Sequence, residues 1–242
     1  MNLAIDIGNT KIKITSFKNN LIRHHFLLEK EEDITFEWIT ENINEEISGI
    51  IICSVRKNIS QNILSLEKNI HPFIVFTHNT PIPIINTYES PEKLGIDRLA
   101  SAIGAFSIFP NKNCLIIDAG TAITFDLLNE KGEYLGGSIS PGLNTRFRSL
   151  SQFTQKLPLL ELNKLNKYPA KNTEDSIQNG VQLGLIYEAE GYINEIKKYF
   201  PDLHVLLTGG DYEFFETNLK KPIFAEPNLI AKGLYRILEH NA

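Results

Sequence analysis

The sequence predicts an α/β protein made of two related halves. Three observations carry this. The chain opens with three strand-like runs and continues by alternating helix and strand, as a sheet covered by helices does. Near residue 113 the pattern restarts with another strand run. Each half also begins with the same short motif, a strand ending in aspartate, then any residue, glycine and a polar residue. The copies are Asp6-Ile7-Gly8-Asn9-Thr10 and Asp118-Ala119-Gly120-Thr121, and their aspartates lie 112 positions apart, nearly half of the 242-residue chain. The boundary of the duplication falls near Pro110-Asn111-Lys112-Asn113, giving lobes 1–110 and 111–242.

Leu3 to Ile7 is short and apolar, and Gly8-Asn9-Thr10 has the chemistry of a hairpin turn. Lys11 to Phe17 alternates polar and apolar, as a strand with one wet face should. A third strand spans Leu21 to Leu28, and a helix covers Ile34 to Ile47. Gly49 to Val55 is apolar on both faces, which calls for a parallel neighbour. Asn58 to Asn69 reads as helix, Pro72 to Phe76 as strand, and Pro91 to Phe109 as helix. In the second half, strands are expected at Asn113 to Asp118, Ile123 to Leu128 and around Tyr134 to Ile139. Gln155 to Asn172, rich in Lys and Asn with two prolines, reads as a flap or loop. A long helix from Thr173 to Phe200 carries an apolar stripe at Ile177, Val181, Leu185, Ala189, Ile193, Ile196 and Phe200. Leu203 to Leu207 is a strand, and a closing helix over Pro227 to Glu239 presents Ile230, Leu234 and Ile237/Leu238 on one face.

Composition narrows the function. The chain carries 24 basic and 29 acidic residues, a net charge of −5, with no long Lys/Arg run, so nucleic acid is not an expected partner. No uncharged apolar stretch approaches the roughly 18 residues of a membrane span, so no membrane partner is expected. Two cysteines, Cys53 and Cys114, sit in apolar strands, which points to buried thiols in a reducing compartment, the cytoplasm.

The two glycine-bearing turns are the central clue. A turn with little side-chain bulk lets backbone N–H groups approach phosphate closely. Gly8, Asn9 and Thr10 offer amides, and Lys11 and Lys13 add charge. Asp6, beside the turn, suits a hydrated Mg²⁺ on the phosphates. The second turn, Asp118 to Thr121, is expected to face the first across an interdomain cleft. Neither G-x-x-x-x-G-K-[ST] nor G-x-G-x-x-G occurs in the chain, which excludes Walker and dinucleotide-binding architectures. Thr208-Gly209-Gly210-Asp211 ends a strand and opens a helix, a turn on which an adenine ring can lie flat. Asp97, near the start of the Pro91 helix, can either stabilise the helix dipole or accept a proton from an alcohol during phosphoryl transfer. Asp97 and Ser101 are expected on a face toward cleft or solvent. Thr173, followed by Glu174 and Asp175, makes a good N-cap. The six histidines form no metal-like spacing.

Asp6-Ile-Gly-Asn-Thr-Lys11, Leu94-Gly-Ile-Asp-Arg98, Asp118-Ala-Gly-Thr-Ala-Ile-Thr-Phe-Asp126, Gly136-Gly-Ser-Ile-Ser-Pro-Gly142 and Leu207-Thr-Gly-Gly-Asp211 together resemble the type III pantothenate kinases. That family belongs to the actin, sugar-kinase and heat-shock ATPase superfamily. The resemblance implies a two-lobed, duplicated ribonuclease H-like (actin-like ATPase) fold, with mixed sheets flanked by helices, a ligand cleft between the lobes, and a homodimer. It implies transfer of the ATP γ-phosphoryl to the primary hydroxyl of pantothenate, the first step toward coenzyme A. On matching positions, Asp6, Ile7, Gly8, Asn9, Thr10, Lys11, Ile12 and Lys13 hold the ATP phosphates, with Asp6 on the Mg²⁺ side, and Thr121 contacts ATP. Asp97 is the general base. Tyr88, Gly95, Ile96, Asp97, Arg98 and Thr173 contact pantothenate, Thr173 at or across the dimer boundary. Asp118 holds a monovalent cation, K⁺ or NH₄⁺. One departure stands out: Cys53-Ser54-Val55-Arg56-Lys57 replaces a Ser/Val-rich strand end followed by proline, and it is expected to bear on the floor of the first lobe rather than on the phosphates. Two rival readings are a kinase for another small alcohol, such as a sugar, and a nucleotide-binding regulator. The Gly95–Arg98 motif with Tyr88 weighs against the first, and intact Asp6, Asp97 and Asp118 against the second.

Overall fold

The computed structural model describes residues 1–165, 168–220 and 222–242. In chain order its elements are β1 (Asn2–Ile7), β2 (Ile12–Lys18), β3 (Leu21–Leu28), α1 (Phe36–Asn42), β4 (Gly49–Ser54), α2 (Gln61–Ser65), β5 (Phe73–Val75), β6 (Ile85–Asn86), α3 (Ile96–Ile108), β7 (Cys114–Ala119), β8 (Ala122–Leu128), β9 (Glu133–Pro141), α4 (Leu143–Phe153), α5 (Thr173–Lys197), β10 (His204–Thr208), α6 (Tyr212–Asn218), β11 (Phe224–Ala225) and α7 (Leu229–Asn241). They form two compact units. One holds Met1–Pro110, Gly132–Tyr134 and Asn228–Ala242; the other holds Asn111–Lys131 and Leu135–Pro227. Thus α7, which the sequence order places in the second lobe, packs in the first unit.

In the first unit the sheet runs β3-β2-β1-β4-β5. β1 pairs antiparallel with β2 and parallel with β4, and β4 pairs parallel with β5. The parallel neighbours on both sides of β4 explain why Ile50, Ile51, Ile52 and Cys53 are all buried. Strand alternation then divides the faces. Leu3, Ile5, Ile7, Ile12, Ile14, Ile50 and Ile52 form a core with Ile39 of α1 and Ile63 of α2. Asp6 and Cys53 sit directly beside one another in the β1–β4 register, on the opposite face. α3 and α7 belong to this unit, and α7 packs along β1 and β4. The two helices cross at backbone contact: a Cβ on Gly233 would lie 1.8 Å from the Ala100 carbonyl oxygen, so only glycine fits there.

The second unit repeats the plan. Apart from the short edge strand β6, its sheet runs β9-β8-β7-β10-β11, position for position the order of the first sheet. β7 pairs antiparallel with β8 and parallel with β10. The predicted stripe of α5 is its core: Ile177, Val181, Leu185, Ala189 and Ile193 are buried against Leu115, Ile117, Ile123 and Phe125, with Ile196 and Phe200 packed at the margin.

Several elements differ from the sequence expectation. The helix expected over Pro91–Phe109 breaks: Pro91–Lys93 makes one 3₁₀ turn, Leu94 is extended, and α3 starts only after Gly95. The helix expected over Ile34–Ile47 shrinks to α1, capped by Thr35 accepting from the Trp38 N–H. α4 and the two-residue strands β6 and β11 had no counterpart in the sequence reading. Ser101 is 1% exposed and so does not reach solvent, whereas Asp97, expected on the same face, is partly exposed. Within the expected flap, residues 166 and 167 lie outside the described residues. Both cysteines are buried free thiols, and among the described residues no helix is long and apolar enough to cross a membrane.

Candidate active site

In the first unit, β1 and β2 close the first turn. Ile7 pairs with Ile12, and Asp6 stands opposite Lys13. Ile7 and Ile12 are fully buried and anchor the turn, while Asn9, Thr10 and Lys11 are exposed. The Gly8 N–H donates to the Lys11 carbonyl at 3.0 Å. Of the three amides the sequence offers to a ligand, Gly8's is therefore used inside the turn, which leaves those of the exposed Asn9 and Thr10.

Asp6 is 8% exposed. Burial pushes its carboxyl up to about 6 from an ordinary 3.8, Lys13 pulls it down, and the negative charge of Asp97 pushes it up again. Asp97 reaches this neighbourhood because it occupies the first turn of α3, where an acid is favoured by the helix dipole. Its Oδ1 accepts the Arg98 N–H at 2.9 Å. The Cys53 thiol is likewise raised, by burial first and then by Asp6 and Asp97. Two carboxylates close enough to interact, one deeply buried, form an electronegative place that added positive charge would relieve. Among the described residues no group of three His, Cys, Asp or Glu side chains can hold a metal alone. One buried carboxylate fits Mg²⁺, which keeps most of its waters and leans on substrate phosphates.

Of the other residues the sequence assigns to pantothenate, Tyr88, Gly95, Ile96 and Arg98 lie at or before the start of α3. Arg98 is 7% exposed, and Gly95 and Ile96 are half-buried. Tyr88 lies in the loop between β6 and α3; its N–H donates to Asn86 Oδ1 at 3.1 Å and its ring leans on buried Tyr134, centroids 6.3 Å apart. The departure at Arg56 is not confined to the floor. Its Nε–H donates to the Gly8 carbonyl at 2.9 Å, so it touches the turn itself.

In the second unit, β7 and β8 close the second turn, with Asp118 opposite Thr124 and the Gly120 N–H donating to the Ala122 carbonyl at 3.0 Å. The structure gathers three of the sequence motifs here. The Gly142 N–H and the Thr145 hydroxyl both donate to the Thr121 carbonyl, at 3.1 and 2.6 Å. Thr208 pairs with Asp118 across β10 and β7, and the Asp211 N–H donates to the Ala119 carbonyl at 2.9 Å. Gly209 has φ +94°, and a Cβ there would meet Ala119 O at 2.3 Å and Asp118 Oδ1 at 2.5 Å. Thr121 is exposed and Asp118 half-exposed. Thr173 is the first residue of α5 but not its cap. Asn172 is the cap, accepting from the Asp175 N–H at 2.8 Å, because its side-chain amide can also return a bond to the Asp175 carboxylate. Thr173 lines a cavity of about 570 Å³ with Leu150, Leu157, Ser176 and Ile177.

Two duplicated sheets, each opening on an aspartate–glycine turn, define the class: the actin-like ATPase and sugar-kinase fold. Solved structures agree. A Campylobacter jejuni protein described as a Baf-family transcriptional activator superposes with TM-score 0.63 at 23% identity, covering 99% of this chain and 98% of its own. The activator of 2-hydroxyisocaproyl-CoA dehydratase from Clostridium difficile, solved with ADPNP, gives 0.55 at 14% identity over 98% of this chain and 94% of its own. Within that class, the family model described as type III pantothenate kinase matches residues 2–195. Type III pantothenate kinases from Flavobacterium johnsoniae and Bacteroides fragilis are each 40% identical, over 99% and 100% of this chain and 98% of theirs. The chain belongs to the type III pantothenate kinase family.

Proposed function

We propose that this chain transfers the γ-phosphoryl of ATP to the primary hydroxyl of pantothenate, yielding 4'-phosphopantothenate for coenzyme A synthesis, with Asp97 as general base. The single observation that carries the reading is that buried Asp6, beside the Gly8 turn, has Asp97 at the start of α3 near enough for its charge to act on it. Phosphoryl transfer is mainly positioning and neutralisation of charge. The Asp6–Lys13 segment supplies exposed amides and two lysines for phosphates, and Thr121 a further ATP contact. Mg²⁺, when bound, screens the phosphate oxygens, with Asp6 on its side of the nucleotide. The Thr208–Asp211 turn takes the adenosine side, and Asp118 a monovalent cation.

Pantothenate is placed by Tyr88, Gly95, Ile96, Arg98 and Thr173. Arg98, a permanent cation near the base, suits the substrate's carboxylate. Asp97 accepts the hydroxyl proton as the oxygen attacks. We read the working unit as a cytoplasmic homodimer, with Thr173 at or across the subunit boundary.

The test is ADP release by the purified protein with ATP and Mg²⁺, with and without K⁺, over a panel of alcohols. Release that depends on pantothenate and rises with K⁺ is expected. Phosphorylation of a hexose but not of pantothenate would overturn the substrate assignment.

A further inference from the structure

We propose that Arg56, held by Glu31, is a positioning residue that fixes the first turn for phosphate binding. The proposal rests on the reading of that turn as the phosphate site. Arg56 follows β4 and is fixed where it leaves the sheet. The Val55 N–H donates to the Ile7 carbonyl at 3.1 Å, and the Arg56 N–H to Ser54 Oγ at 3.1 Å. Its guanidinium then makes two bonds in different directions. Nε–H donates to the Gly8 carbonyl at 2.9 Å, and Nη1–H to Glu31 Oε1 at 3.0 Å. Glu31 is 7% exposed, and its second oxygen accepts the Ser60 N–H at 2.8 Å. A buried carboxylate thus clamps the planar fork, and the fork clamps one peptide of the turn.

The consequence follows from peptide geometry. The Gly8 carbonyl and the Asn9 N–H belong to one planar unit, and in a trans peptide they point in opposite directions. An arginine gripping the carbonyl therefore aims the Asn9 N–H away from itself. Since the Gly8 N–H is already bound to Lys11, the Asn9 amide is the first one the turn can give to a ligand, and Arg56 sets its direction. Pre-aligned amides bind anions without the entropy loss of ordering a loop. Lysine at this position offers a point charge rather than a rigid fork and serves only one of the two partners well.

The experiment compares R56Q, R56K, E31Q and the E31Q/R56Q double variant, measuring KM for ATP and for pantothenate, kcat and melting temperature. Loss of a charge-assisted bond at the turn should raise KM for ATP by about tenfold in R56Q, leave KM for pantothenate within about twofold, and leave R56K in between. R56Q strands the buried Glu31 carboxylate and should melt early. The double variant removes that charge and should recover melting temperature while keeping the raised KM for ATP. If R56Q does not fold, the double variant and R56K carry the comparison. An unchanged KM for ATP in R56Q, or a KM that recovers with stability in the double variant, overturns the proposal. K11Q, an alteration of the turn itself, separates the two levels. If K11Q raises KM for ATP and R56Q does not, only the positioning role falls. If neither does, the phosphate reading of the turn falls with it.

Discussion

Replacing Asp6 with Asn should stabilise the nucleotide-free protein at neutral pH while abolishing phosphoryl transfer. The folded protein holds the Asp6 proton with a pKa of about 6 against an ordinary 3.8, chiefly because the carboxyl is buried. The folded state therefore binds this proton more tightly than the unfolded state, and ionising it opposes folding. The favourable contribution is complete below about pH 3.8, falls as pH rises, and is gone above about 6. At about 1.4 kcal/mol per tenfold in proton affinity, the difference between those two values amounts to about 3 kcal/mol. For a chain of this size that is about 6–12 °C in melting temperature. Asn mimics the neutral carboxyl and escapes the penalty. Thermal melts of both proteins from pH 4 to 8, without nucleotide or Mg²⁺, should show curves that meet near pH 4 and separate by that amount at pH 7.5. A gap that does not open between pH 4 and 6, or a variant less stable at pH 7.5, refutes the argument. Such a penalty in the native protein is what a group retained for binding a cation produces.

Other outcomes follow from the same geometry. Asp97→Asn should lower kcat by about 10²-fold or more, as loss of a general base does, with ATP affinity by calorimetry unchanged; near-normal turnover would remove Asp97 from the chemistry. Asp118→Asn should blunt activation by K⁺, and an identical K⁺ titration would refute its cation role. Gly209→Ala forces a side chain into a positive φ and against the Ala119 carbonyl. It should cost about 1–3 kcal/mol for the backbone alone, read as a lower urea midpoint, and an unchanged midpoint would contradict the packing described.

The strand framework and the motifs were legible in the sequence because both depend on near neighbours. Period-two alternation, a glycine turn between aspartate-ended strands, and a helical stripe over Ile177–Phe200 are local patterns, and their repetition after 112 residues disclosed the duplication. That local reading faltered where a short element depends on what it packs against. α4 follows directly on β9 after Gly142, with Leu143 and Phe147 buried in the second core, and no long apolar stripe announces it. Ser101 looked like part of an open face until α3 was enclosed on nearly every side.

The sequence by itself determined the family, the two aspartate–glycine turns and the candidate base, since each is carried by contiguous residues. Tertiary structure alone decided that α7 closes the first unit, that Gly209 abuts Asp118, and that Arg56, 48 positions from Gly8 and 25 from Glu31, ties the first turn down. Those contacts join residues whose separation carries no periodic signal, and only the folding of the sheets brings them within bonding distance.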